Sequence, residues 1–419
     1  MGRMLIHSGH VMTMAGAEYP KGCIYIEDGK ILEVAESVAA LKHGRALAPA
    51  ARSHEKGAER AARSHGRLHG KTEPEEPVVI DASGCLVMPG LIEAHCHIGI
   101  TEEKKGMEGD DCNEAVSPIT PWLRGLDAIN TMDAAFDDAV RAGITSVMAG
   151  PGSANVVGGQ FVFLKTKGRC IDDLIVKEPA ALKVAFGENP KVNYSGMGKS
   201  PSTRMAIAGM LREALTEAAA YLRKKEKAGE DFEPDFRLEP YLPVLRGEIP
   251  LKAHVHRADD IFTAIRIAGE FGVRMTLDHC TEGHLIAEEI AASRFPAIVG
   301  PDLSSRNKIE VQNMAFKTAG ILQRAGVTLA VTTDHPVSLI QSLPICAGLA
   351  VKAGLPLEAG YAAITCNPAR ICGVWDRVGS LEAGKDADIA IFTGNPMETF
   401  TRTLYTIIDG RVVYREEEF

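Results

Sequence analysis

Between residues 86 and 365 the chain repeats one unit, a short apolar run followed by a stretch with helical spacing. The runs are Cys85–Met88, Thr145–Ala149, Phe161–Leu164, Ala181–Phe186, Leu251–His256, Arg274–His279, Ala297–Gly300 and Thr328–Thr333. Eight strands alternating with helices argue for an α/β fold, a (β/α)8 TIM-like barrel. A doubly wound open sheet is the rival, and it is weaker because no GxGxxG opens a helix. Met205 to Lys227 reads as a helix, with Ile207, Met210, Leu211, Leu215, Ala218, Tyr221 and Leu222 at helical spacing. Ser202 or Thr203 can cap its start and Gly229 its end. It lengthens the connection after the fourth run, as functional loops do.

The two ends of the chain carry a different pattern. Asp28-Gly29 lies between two alternating apolar segments, and Asp409-Gly410 repeats the arrangement near the other end. Both are two-residue turn signals of β-hairpins, so both termini are expected to share one small sheet domain. The resulting division is 1–85, 86–365 and 366–419. Residues 41–72 interrupt the first part. They are rich in Ala, Arg, His and Gly, contain AARSH twice, and carry a local charge of +6. This stretch reads as a solvated insertion.

The whole chain of 419 residues carries a net charge of -9, which argues against a nucleic-acid or anionic-membrane partner held by bulk charge. No stretch approaches 18 apolar residues, so no membrane span is expected. Nine cysteines without a CxxC pair, and a start without a signal-peptide apolar run, give the expectation of a cytoplasmic protein with reduced thiols.

Chemistry is concentrated at run ends. Pro89-Gly90-Leu91-Ile92-Glu93-Ala94-His95-Cys96-His97 is an apolar strand ending in His-x-His. Residues i and i+2 of a strand face one side, so His95 and His97 converge as a metal site needs. His254 lies near the end of the fifth run, His279 ends the sixth, and Asp334 follows the eighth. In a (β/α)8 barrel all these ends open on one face, where active sites lie.

At this point a resemblance is plain. PGLIEAHCHIG is similar to the first-strand metal motif of the amidohydrolase superfamily, and TTDHP to its eighth-strand aspartate motif. Thr365-Cys366-Asn367-Pro368-Ala369-Arg370, then Gly379 to Asp388, resembles its closing segment. The match covers nearly the whole chain except 41–72, and points to the imidazolonepropionase-like and Xaa-Pro-dipeptidase-like branch. The resemblance implies that the terminal sheet is a β-sandwich built from both termini. It also implies a bridging lysine carboxylated by CO2. Lys183, inside the apolar fourth run, is the candidate, and Lys165, just after the third run, is the competitor. The implied ligands are then His95, His97 and Asp334 for one metal and His254 and His279 for a second, with the Lys183 carbamate and a hydroxide between them. Two zinc ions suit this donor set, with manganese or iron as alternatives. The hydroxide would attack a carbonyl carbon while Asp334 carries the proton to the leaving nitrogen.

Other residues stay open. His256 faces the same way as His254 and could replace it, touch substrate, or be a satisfied polar residue at the barrel mouth. His335 and His284 have structural readings beside functional ones. The polar segment Gly187–Gly198 is expected as a lid or substrate clamp involving Asn189, Tyr194 or Arg204. The expected activity is hydrolysis of a C–N bond in a small molecule: a cyclic amide, an imidazolone or a dipeptide. A deaminase of the same superfamily is the alternative. It is disfavoured because Val255-His256-Arg257 follows His254 where a His-x-x-Glu would be needed. A non-catalytic relative is disfavoured because every expected ligand is present. Homo-oligomers are common in the superfamily.

Overall fold

The computed structural model describes residues 2–43, 47, 76–103, 106–228 and 232–417. Both AARSH repeats and Gly229 lie outside the described residues. The strands, in chain order, are β1 (Arg3–Met12), β2 (Glu18–Glu27), β3 (Lys30–Ala35), β4 (Val78–Asp81), β5 (Leu86–Pro89), β6 (Leu91–Cys96), β7 (Ile144–Ala149) and β8 (Val157–Lys165). They continue with β9 (Ile175–Ala185), β10 (Leu251–Val255), β11 (Met275–His279), β12 (Ala297–Val299), β13 (Leu329–Val331), β14 (Ile389–Phe392), β15 (Thr403–Ile408) and β16 (Arg411–Arg415).

Strands β6 to β13 form one barrel-like sheet in sequence order. The residues of β6, β7, β10, β11, β12 and β13 are buried throughout, as strands covered on both faces require. The two ends of the sheet are drawn together by the chain around them. Val331 N donates to Ala363 O (3.0 Å) and Ile92 N to Ile364 O (2.9 Å), and His97 N donates to His335 O (2.8 Å). Helices cover the outside. The longest, Arg204–Ala228, buries Ile207, Leu211, Leu215 and Ala218 on one stripe, and Thr203 Oγ1 accepts the Ala206 amide at its start (3.1 Å).

Two features depart from the expected barrel. The run Cys85–Met88 does not begin it. Leu86–Pro89 pairs with β1 and β14 in the other sheet, and Leu91–Cys96 takes the first place. Strand β8 also runs antiparallel to both neighbours. The reason is length: the connections β7–β8 and β8–β9 have 7 and 9 residues, and a parallel crossover needs a dozen or more. The seven other strands run the same way, so their C-terminal ends share one rim.

The second sheet is built from both ends of the chain, in the order β16-β15-β14-β5-β1-β2-β3 with β4 beside β1. Asp28-Gly29 and Asp409-Gly410 each have two successive positive φ values (51° and 80°, 47° and 70°), the signature of the type I′ turn. The two turns touch: a Cβ on Gly29 would lie 3.0 Å from Asp409 O. Met4, Ile6, Ile24, Ile26, Ile389, Ile391 and Ile407 pack into an apolar cluster of this sheet's own.

Candidate metal centre

The common rim gathers His95, Lys183, His254 and His279 from β6, β9, β10 and β11, with His97, His256 and Asp334 just beyond strand ends. Asp334 Oδ1 lies 3.4 Å from His95 Nε2 and 3.3 Å from His97 Nε2. Lys183 Nζ lies 3.3 Å from His95 Nε2. The rings of His254 and His279 are 4.5 Å apart, and that of His256 stacks on His279 at 4.7 Å.

Each of the anchored rings is held by its other nitrogen. His95 Nδ1 meets Asp278 Oδ2 (2.9 Å), His97 Nδ1 meets Gly150 O (2.7 Å), and His279 Nδ1 meets Gly300 O (2.9 Å). An acceptor at Nδ1 fixes the tautomer whose Nε2 carries a free lone pair. Asp278 is held in turn by Thr276 Oγ1 (2.8 Å) and Lys252 Nζ (3.3 Å). Asp334 Oδ1 is buried and has no hydrogen-bond partner. Converging imidazole lone pairs with an orphaned carboxylate oxygen are the donor chemistry of a divalent cation, so these residues fit a metal.

The electrostatics point the same way. Burial first, then Lys183 for His95 and the neighbouring His254 and His256 for His279, hold both far below the ordinary histidine value, so both are neutral. His254 is lowered likewise, by burial and by His256. His97 differs: burial lowers it, but Cys112 and Asp334 beside it outweigh burial and raise it to about 10. A cation there must displace that proton. Burial would raise Asp334, yet the His95 and His97 imidazoles beside it keep it below the usual carboxylate range. Burial lowers Lys183 to about 8, which makes its neutral amine accessible near physiological pH.

Backbone strain marks the same rim. His279 and Asp334 have φ of 70° and 51°, in a region that costs a non-glycine residue about 1–3 kcal/mol.

The remaining sequence candidates divide. Asn189 reaches the centre, with Nδ2 at 3.3 Å from His254 Nε2 and 2.8 Å from Ser153 Oγ. Within Gly187–Gly198, Glu188–Gly196 is a helix. Tyr194 on it is fully buried and donates to Asn155 Oδ1 (2.6 Å). Arg204 is held by Asp260 (3.0 Å). Both side chains are thus engaged by other residues of the chain. Lys165 lies at the opposite rim, because β8 is reversed, and its Nζ meets Asp386 and Asp388 (2.9 and 2.6 Å). It cannot bridge metals bound near His95. His284 is paired with Thr318 Oγ1 (3.1 Å), and His335 Nδ1 accepts the Ile340 amide (3.2 Å).

Sequence reasoning passed over Glu93, Lys252, Asp278 and Glu310. Glu93 is fully buried and accepts Thr333 N and Oγ1 (both 2.8 Å) and His95 N (3.0 Å), tying the first strand end to the last. Burial pushes it up to about 7. Lys252 is a lysine within an apolar strand, the same signal that singled out Lys183. Glu310 sits after β12 in a segment without periodicity, and only the fold brings it to His254 and His256 (3.6 and 3.7 Å).

Comparison with known proteins agrees with this geometry. The Amidohydrolase family matches residues 250–414. An imidazolonepropionase of Maricaulis maris (strain MCS10) is 32% identical over 330 residues, 73% of this chain and 78% of that protein. An amidohydrolase of Hapsidospora irregularis is 28% identical over 374 residues, 80% of this chain, and the chain spans only 37% of that relative's length. The crystal structure of an amidohydrolase from Thermotoga maritima MSB8 superposes with a TM-score of 0.86 at 36% identity, covering 99% of this chain and 100% of that one.

Proposed function

The chain belongs to the amidohydrolase family, and from that premise we propose that it is a metal-dependent hydrolase cleaving a C–N bond of a cyclic amide, an imidazolone or a dipeptide. The observation that carries the reading is the set of Nδ1-anchored imidazoles around the unpartnered Asp334 Oδ1. In this proposal His95, His97 and Asp334 hold one divalent ion, zinc by donor type, and His254 and His279 contribute to a second. Bound metal supplies polarisation of the substrate carbonyl and a lower pKa for water.

The chain's own residues do the rest. Asp278 holds His95 in one tautomer, and Lys252 holds Asp278. The Asp334 carboxylate accepts a proton from the attacking water and returns it to the departing nitrogen. Asn189 offers an amide to the substrate beside His254. Phe161 packs with its ring 5.5 Å from that of His95. Lys183 is proposed to carry a CO2-derived carbamate. Its support is a buried amine with, among the described residues, no carboxylate at ion-pair distance. A lysine so placed is costly unless converted. Hydrolysis is preferred to deamination because Arg257 stands where the fifth-strand glutamate would be.

The test is a screen of zinc-loaded protein against dipeptides, N-acyl amino acids and cyclic amides. Turnover of at least one class, lost on chelation and restored by zinc, is expected. Undiminished turnover in chelator would remove the metal from the reading. Protein equilibrated with 13C-bicarbonate should show a carbamate resonance that disappears in Lys183→Met.

A further inference from the structure

We propose that His256 and Glu310 complete the second cation site with His254 and His279, so that three imidazoles and one carboxylate of the chain hold that ion without needing the lysine carbamate. The inference rests on the metal reading above and deepens it. Candidate ligand atoms of His254, His256 and His279 all lie within 4.8 Å of one another, and the three residues are buried. His256 Nδ1 is engaged by Thr281 Oγ1 (2.7 Å), which leaves its Nε2 free, as Gly300 O does for His279.

Glu310 Oε1 lies 3.6 Å from His254 Nε2 and 3.7 Å from His256 Nε2. Two ligands at roughly 2.1 Å from one ion, with an angle of about 120° between them, stand about 3.6 Å apart. The spacing is therefore that of atoms sharing a cation, and too long for a direct hydrogen bond. Glu310 is 1% exposed and rigidly held: Oε2 accepts the Glu188 amide (2.9 Å) and Lys308 Nζ sits at Oε1 (2.6 Å). Lys308 takes one lone pair of Oε1, and a carboxylate oxygen has a second. Gly187 makes room for this carboxylate, since a Cβ there would come within 2.8 Å of Glu310 Oε2. Among the described residues no direct hydrogen bond links these three buried imidazoles to one another or to Glu310, whose Oε1 stands 3.6 and 3.7 Å from two of them. A divalent ion among them supplies the link.

The experiment counts ions. Apoprotein is titrated with Co2+, and bound metal is measured by calorimetry, by elemental analysis after gel filtration and by the ligand-field spectrum. Wild type should bind two ions per chain. Glu310→Gln keeps an acceptor for the Glu188 amide, and His256→Asn keeps a polar group. Each should weaken the second ion at least about tenfold and leave the first unchanged. Lys183→Met in bicarbonate-free buffer should still bind two. The proposal is overturned if both Glu310→Gln and His256→Asn keep two ions at wild-type affinity, or if Lys183→Met alone loses the second. One ion in wild type, indifferent to both variants, would overturn this inference and leave the hydrolase reading standing. No bound ion at all would overturn both.

Discussion

Lys165 and Lys183 are both buried lysines in barrel strands, and they lie at opposite rims. Lys165 is 3% exposed and surrounded by Asp386, Asp388 and Asp409, at 2.9, 2.6 and 3.5 Å. Those aspartates come from the terminal sheet and its approach, so the ammonium pins that sheet to the barrel. Lys183 is fully buried, and its Nζ lies 3.3 Å from the His95 imidazole. The carboxylates outweigh burial and raise Lys165 above the ordinary lysine value, whereas burial lowers Lys183. One rim has its charges satisfied by protein. The other leaves lone pairs, an orphaned oxygen and strained backbone unsatisfied. In barrels of this kind the strand C-termini carry chemistry and the opposite rim carries stability, and the contrast between these two lysines is the one that the proposed metal centre calls for.

Asp334→Asn attacks the unsatisfied rim and should have the largest effect. Turnover is expected to fall by about 10^2–10^4-fold, with little change in melting temperature, because the carboxylate makes no structural hydrogen bond at Oδ1. A variant that kept wild-type kcat would remove Asp334 as the proton carrier. Lys165→Ala attacks the other rim. It strands buried aspartates, and breaking such a buried pair costs about 3–5 kcal/mol, read by denaturant unfolding. The metal count of the folded fraction should not change. The same rim is acid-sensitive. Burial alone would raise Asp386, but Lys165, Arg377 and Lys30 lower it from 3.8 to about 2. A depressed carboxylate stabilises above its unfolded value, and that stability is lost as pH falls from about 4 toward 2. Lys165→Ala should flatten the acid-unfolding profile in that window.

Lys183→Met sharpens the contrast by its sign. An apolar side chain of similar length removes an unpaired buried amine, so stability should rise by about 1–2 kcal/mol while activity falls. Destabilisation as large as that of Lys165→Ala would mean that Lys183 is a structural cation, and the comparison would collapse.

The sequence carried the alternating runs, both Asp-Gly hairpins and the strand-end histidines, because each is a local pattern with a fixed period or turn. It carried less where geometry depends on partners. The reversal of β8 was available in the two short connections around it, and it moves Lys165 from one rim to the other. The place of Leu86–Pro89 was not available, since an apolar four-residue strand fits either sheet and Pro89-Gly90 separates it only slightly from β6. Asp278 sits beside His279, and strand alternation would turn it away. The positive φ of His279 turns that imidazole out of the strand pattern, and Asp278 meets His95 instead. Glu310 had no signal for its place at the rim: His254 and the Glu188 amide, which it meets there, come from elements more than fifty residues away.

Tyr194 is the mildest test of the same division. It was a candidate for substrate contact because its segment leaves the fourth barrel strand on the active rim. Its hydroxyl is instead the first link of a buried chain: Tyr194 donates to Asn155 Oδ1, and Asn155 Nδ2 donates to Thr120 Oγ1 (2.9 Å). Thr120 Oγ1 donates to Val157 O at the start of β8 (3.1 Å). The ring fills a volume that Phe would fill equally, so only the hydrogen bond is lost. Tyr194→Phe should therefore cost about 1 kcal/mol in unfolding experiments and leave kcat/KM within a factor of about two. A tenfold fall in kcat/KM with unchanged stability would put the hydroxyl on the substrate, and would extend the chemically active rim outward to the helix Glu188–Gly196.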